Sequence, residues 1–181
     1  SRTGKLSCYE YEHQTRSVRF VKDLIHAPLL DSTILKYNEK YWVFSIQNMN
    51  DINYELLIFH SDNLFGPYQA HLKNPVKVGL NGLRPAGDFI KVDGSVYRPA
   101  QNCERSYGES ITVFRIKTLN ESDFEEEFHM KVEINRKNKQ NRHIHSIHTI
   151  NSFNDLLVVD GEKWIFSPHY RFWKLIKERS K

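Results

Sequence analysis

Along most of this chain apolar and polar residues alternate in short runs, the period of a half-buried β-strand. Runs at 5–11 and 17–23 predict a first pair of strands. Residues 33–37, 40–46, 54–60 and 67–71 predict four more, and 86–92, 95–100, 109–116 and 127–133 another four. A last pair is expected at 146–151 and 155–159. Asn38-Glu39 and Asp93-Gly94 read as tight hairpin turns, the second strongly, because Gly accepts the positive φ such turns need. Phe65-Gly66-Pro67 interrupts the chain before the strand at 67–71. The acidic stretch Thr118 to Glu127 is read as a helical turn leading into the strand at 127–133.

The pattern repeats. Leu30-Asp31-Ser32-Thr33 opens one copy and Leu83-Arg84-Pro85 the next. A looser third begins at Ile144-His145-Ser146. Asp31 and Arg84 are 53 positions apart, and Arg84 and His145 are 61. A period of this length suits a four-stranded propeller blade. The start of each innermost blade strand faces the common axis, so Asp31, Arg84 and His145 are expected to converge. Two full and two half blades make about three, too few to close a ring. The open sheet edges then call for further blades or for self-association. Residues 1–168 are expected to form this incomplete β-propeller-like domain. Residues 169–181 form a basic, aromatic tail with Phe172, Leu175 and Ile176 on one side of a short helix.

Composition narrows the class. The chain has 181 residues, 39% of them hydrophobic and 27% charged, enough for one buried core and too ordered in character for a disordered segment. No apolar run is long enough to cross a bilayer as a helix. The net charge of +4 is scattered rather than gathered on one element, which argues against nucleic acid as a partner. The exceptions are the loop Arg136 to Arg142 and the tail, where a closing helix is favoured over a membrane-surface helix. Cys8 and Cys103 lie far apart in sequence and pair only if the fold brings them together. Asn120-Glu121-Ser122 is a glycosylation sequon. Neither a phosphate loop, a dinucleotide fingerprint nor paired metal-ligand cysteines occurs, so no cofactor is expected. His143, His145 and His148 could hold zinc only on irregular backbone, since strand alternation sets His148 on the opposite face from the other two. Asp160-Gly161 reads as a hairpin turn, and Trp42 and Trp164 as core.

Several blocks carry a family resemblance. They are Pro28-Leu29-Leu30-Asp31-Ser32, Lys40-Tyr41-Trp42-Val43-Phe44, Gly66-Pro67-Tyr68, Asn74-Pro75-Val76, Arg84-Pro85-Ala86-Gly87 and Tyr97-Arg98-Pro99-Ala100-Gln101-Asn102-Cys103, followed by Arg105-Ser106-Tyr107-Gly108. In order, over roughly residues 5–165, they resemble the propeller domain beside the glycosyltransferase of plant glucosamine inositolphosphorylceramide transferases. Similar domains accompany formyltransferase-like proteins in bacteria. The family fold is similar to five-bladed glycoside hydrolases of the arabinanase, xylosidase and invertase type. The resemblance implies a carbohydrate or glycoconjugate ligand. The family's earlier blades, with their Asp-Pro and Pro-Glu-Ser motifs, have no counterpart in these residues.

Two readings of different class follow. One is a carbohydrate-active domain related to propeller hydrolases, and the other a non-catalytic binding or scaffolding module that accompanies a transferase. Hydrolysis needs two carboxylates, and only Asp31 stands at an inner-strand start. Enzyme status therefore stays open, with Asp31 a weak catalytic candidate that equally suits a turn or an ion pair. Arg84, held extended by Pro85, offers a fixed fork to a hydroxyl, carboxylate or phosphate, or else a salt bridge between blades. Arg98, Gln101 and Asn102 are placed either on sugar hydroxyls or on the backbone of their own turn. Arg105 and Tyr107 offer a further polar contact and a stacking ring, against a plain packing role. Arg142 and His145 complete the substrate-binding candidates.

Overall fold

Alternation becomes strand almost everywhere. A computed structural model describes residues 4–48, 54–135, 137–139, 141, 143–153 and 156–163, and among these every regular element is a β-strand. The chain opens with a hairpin of β1 (Leu6–Glu12) and β2 (Ser17–Ile25). An antiparallel sheet follows from β3 (Leu30–Tyr37), β4 (Lys40–Asn48), β5 (Tyr54–Ser61) and the short β6 (Gln69–Ala70), in that spatial order. The short β7 (Lys77–Gly79) also lies on β5. A second sheet contains β8 (Asn81–Pro85), β9 (Ile90–Val92), β10 (Ser95–Asn102), β11 (Ser110–Leu119) and β12 (Phe124–Val132). Its order is β12-β11-β10-β8, with β9 also on β10. Two small pairs end the described chain, β13 (Ile144–Ser146) with β16 (Glu162–Lys163) and β14 (Ile150–Phe153) with β15 (Leu156–Val159).

The hairpin turns follow their sequence chemistry. Asn38 and Glu39 have φ of 49° and 59°, and Asp93 and Gly94 have φ of 48° and 73°. Two consecutive positive φ values match the natural twist of the flanking strands. Asn74 lies against the edge of β5 without being in a strand itself. Its side-chain amide accepts from Ile58 N at 2.9 Å and donates to Ile58 O at 2.7 Å.

Apolar faces stack these layers. Leu35, Trp42, Phe44, Ile46, Leu56 and Ile58 from the first sheet bury against Leu83, Phe89, Val96 and Leu119 from the second. The first sheet's other face, with Val43 and Leu57, receives Ile25 and Leu29 from the β2–β3 region. The second sheet's other face, with Ala86, Ile111 and Val113, receives Ile147 and Ile150. Each buried aliphatic or aromatic side chain contributes about 1.5–3 kcal/mol, so these clusters carry most of the layering.

Three sequence expectations change. Of the inner strand foreseen at 86–92 only β9 (Ile90–Val92) forms, after β8 has ended at Pro85, because Gly87 takes φ of +112° and bends the chain. At Gly87 a Cβ would lie 2.2 Å from Ile150 O, while Ile150 N donates to Ala86 O at 2.8 Å. The acidic stretch 118–127 is not a helical turn. It runs from the end of β11 through a turn at 120–123 into β12, and its acids meet lysines of the neighbouring sheet: Lys40 with Glu121 at 2.9 Å, Lys73 with Asp123, and Lys77 with Glu126. Asp160 closes no hairpin, since β15 and β16 belong to different pairs. Trp42 is core as expected, 1% exposed, with its indole N–H on Tyr37 O. Trp164 and the tail helix at 169–181 lie outside the described residues. Cys8 and Cys103 are both free thiols.

Candidate functional site

β3 begins irregularly. Its register with β4 shifts between Leu30 and Thr33, and Asp31 has φ of 50°, a conformation that Asp tolerates better than most residues. Buried Ser45 of β4 holds this bulge by donating to Leu30 O at 2.8 Å, and its hydroxyl lies 2.9 Å from that of Ser32. Bulges of this kind re-aim a side chain. Here the Asp31 carboxylate turns to the Arg84 guanidinium, on β8 of the second sheet, and forms an ion pair with its Nε.

Arg84 is set among rings. Its guanidinium carbon lies 4.8 Å from the centroid of Tyr107 and 6.0 Å from that of Tyr54, both within cation–π range. Burial alone would lower its pKa, but Asp31 outweighs burial and raises it, so the cation is fixed. Burial pushes the Tyr107 phenol up, so it remains a neutral donor.

The third layer reaches the same place through Tyr107, whose ring centroid is 4.7 Å from that of His148. His148 Nδ1 is 3.5 Å from Asp160 and its Nε2 3.8 Å from Glu162. Asp160 also accepts the backbone N–H groups of His148, at 2.9 Å, and Thr149, while Glu162 accepts from Ser146 Oγ at 2.8 Å. The close approach needs Gly108, at φ of +64°, where a Cβ would come within 2.7 Å of the His148 ring. One connected set of side chains, Asp31, Arg84, Tyr54, Tyr107 and His148, thus draws on three successive layers. It can offer fixed N–H and O–H donors, a carboxylate acceptor and flat ring surface to a ligand.

The family model described as glucosamine inositolphosphorylceramide transferase 1, N-terminal, matches residues 1–165. The chain belongs to this family. It is similar to the glucosamine inositolphosphorylceramide transferase 1 of Arabidopsis thaliana, 32% identical over 142 residues, covering 75% of this chain and 19% of that protein. The protein of the same name from Oryza sativa subsp. japonica is 32% identical over 110 residues, covering 58% of this chain and 15% of its own length. The chain therefore spans less than a fifth of the length of these relatives.

In this family member the other sequence candidates are dispersed. Arg98 is a correction: it is 1% exposed, and its guanidinium is consumed by Glu126, Gly82 O and Leu83 O. It holds sheet two together and cannot meet a ligand. Asn102 serves its own loop, its Oδ1 accepting from Glu104 N at 3.0 Å. Gln101 is buried in β10, with its Oε1 3.9 Å from the Cys103 thiol. Arg105 is exposed and ion-paired to Glu109, lining a separate cleft with Ser106, Glu133 and Ile134. His145 is exposed on β13, and the histidine that meets Tyr107 is His148, three positions on. The chain leaves strand geometry after Ser146, so the third copy of the repeat does not carry His145 to the place its spacing from Arg84 implied. Arg142 lies outside the described residues. Tyr54 and Glu162 carry no sequence signal for this place, while His148 and Asp160 stand out in the sequence only as a metal-ligand candidate and a turn residue.

Proposed function

We propose that this chain is the glycoconjugate-recognising part of a glycosyltransferase-associated protein, and that the Asp31–Arg84–Tyr107 cluster contacts the sugar. The observation that carries this reading is Arg84, a fixed cation flanked by two tyrosine rings and offset by Asp31. Rings and polar forks side by side are what a hydroxylated ring needs, one for its apolar C–H face and the other for its hydroxyls.

We also propose that the two stacked antiparallel sheets are blades of a five-bladed propeller related to glycoside hydrolases. Their face-to-face apolar contact and the meeting of Asp31, near the start of β3, with Arg84, near the end of β8, support this. Residues 1–168 would then be one propeller-like unit. Hydrolysis is the weaker reading, because the mechanism needs two carboxylates flanking one bond and Asp31 is engaged by Arg84.

Charge narrows the ligand. Asp31 neutralises Arg84, and Asp160 and Glu162 lie beyond His148, so the cluster holds no surplus positive charge for a phosphate. The relatives' name joins glucosamine and inositolphosphorylceramide, and the ring hydroxyls of such a headgroup suit the cluster better than its phosphate. Calorimetric titration with myo-inositol and with inositol phosphate at equal concentration tests this. Binding of the neutral ring at least as tight as that of the phosphate is expected, and binding of the phosphate alone would overturn it.

A further inference from the structure

β11 ends at Leu119, and the turn that joins it to β12 begins with Asn120-Glu121-Ser122, the one Asn-x-Ser/Thr sequence in the 181 residues. The turn is ordered by Asn120 itself. Its Oδ1 accepts from Ser122 N at 2.9 Å and Asp123 N at 2.8 Å, and its backbone N–H donates to Asp123 O at 3.0 Å. The Ser122 hydroxyl also lies 3.0 Å from Asn120 Oδ1. With the carbonyl oxygen turned inward, the amide nitrogen Nδ2 is left pointing out. Asn120 is exposed, and nothing among the described residues accepts a hydrogen bond from that nitrogen.

The rest of the sequon is anchored away from Nδ2. Glu121 O accepts from Leu72 N at 3.1 Å, and the Glu121 carboxylate pairs with Lys40. A group added at Nδ2 therefore breaks none of the hydrogen bonds that order this turn. Sequons are used at such exposed turns.

We infer that Asn120 is an N-glycosylation site, occupied when the chain passes through a eukaryotic secretory compartment. The co-reactant is a polyprenyl-diphosphate-linked oligosaccharide. The Asn120 Nδ2 forms a bond to the sugar's anomeric carbon and loses a proton. The bond from that carbon to the diphosphate oxygen breaks, and the lipid diphosphate leaves with the electron pair.

The position has a consequence for the molecule. Tyr107 precedes the start of β11 and Asn120 follows its end, so ten strand residues separate the glycan from the candidate site, about 30 Å. An oligosaccharide there leaves the Asp31–Arg84 cluster open and marks the opposite end of the two sheets as solvent-facing in any larger assembly.

Expression of the full chain behind a secretion signal in a eukaryotic host tests the inference, read on secreted and cell-retained protein alike. A mass increase removed by peptide N-glycosidase, with Asn120 converted to aspartate in the treated peptide, is expected. Ser122→Ala should abolish the increase while leaving the β-sheet circular dichroism unchanged. An unmodified Asn120 peptide in protein recovered from that pathway would overturn it.

Discussion

Arg98 on β10 and Glu126 on β12 form a buried two-pronged pair, with Nε to Oε2 at 2.7 Å and Nη2 to Oε1 at 2.6 Å, although β11 lies between their strands. The guanidinium crosses over the ring of Phe114, 5.2 Å from its centroid, and Lys77 from the neighbouring sheet reaches the same carboxylate. Both members of the pair are essentially removed from water. Such an arrangement holds only if every charge is matched.

Breaking the pair should therefore be costly. Glu126→Gln leaves a buried guanidinium without its counter-charge, and a loss of about 3–5 kcal/mol is expected, read as a lowered urea midpoint. Replacing both partners by apolar residues of similar volume should cost far less than either single change.

The same carboxylate sets an acid limit. Burial pushes the Glu126 pKa up, but Arg98 and then Lys77 outweigh it and hold the pKa below the ordinary 4.5. A group with a depressed folded pKa contributes stability that is present above its unfolded pKa and is lost as pH falls through the folded one. The melting temperature should therefore decline as pH drops below about 4.5. A variant with both Arg98 and Glu126 made apolar should show a shallower decline.

Phe44 is fully buried, with edge-to-face contacts to Phe89 at 5.0 Å and Phe124 at 5.6 Å. These three rings join the two sheets. Phe44→Ala should cost about 3–5 kcal/mol, while Phe128→Ala, at an exposed position on β12, should change the melting temperature little. Equal losses at both positions would show that the apolar layer between the sheets is not what holds them.

Gly87 ties the second sheet to the third layer. A Cβ there would strike Ile150 O, and its φ of +112° is closed to other residues. Gly87→Ala should destabilise the chain by at least about 1–3 kcal/mol and raise amide exchange at Ile150 N, which bonds to Ala86 O.

Much of the strand framework was legible because alternation and turn chemistry are local. The hairpins at Asn38-Glu39 and Asp93-Gly94 and nearly all the long strands follow from them. The acidic run at 121–127 was misread because its meaning is not local. Its acids answer lysines 49 to 81 positions earlier, and a register shift between Ile116 and Thr118 helps decide which glutamate of the Glu125-Glu126-Glu127 run turns inward. The role of Arg98 is not legible for the same reason, since its partner Glu126 sits two strands away. The repeat did bring Asp31 and Arg84 to one point. It failed at the third copy, where the chain leaves strand geometry after Ser146 and His148 takes the position expected of His145.

Asp31 should set the charge preference of the site. With Asp31→Asn the guanidinium of Arg84 loses its ionic partner, and affinity for inositol phosphate should rise relative to that for myo-inositol. An unchanged ratio would mean that Asp31 does not face the ligand.

The most direct test of the account is the affinity of the wild-type chain and of Arg84→Met for myo-inositol, measured by calorimetry with the fold checked by circular dichroism. A loss of at least tenfold, about 1.4 kcal/mol, with an unchanged spectrum is the predicted result. Equal affinity in the two proteins would contradict the claim that the Asp31–Arg84–Tyr107 cluster holds the sugar.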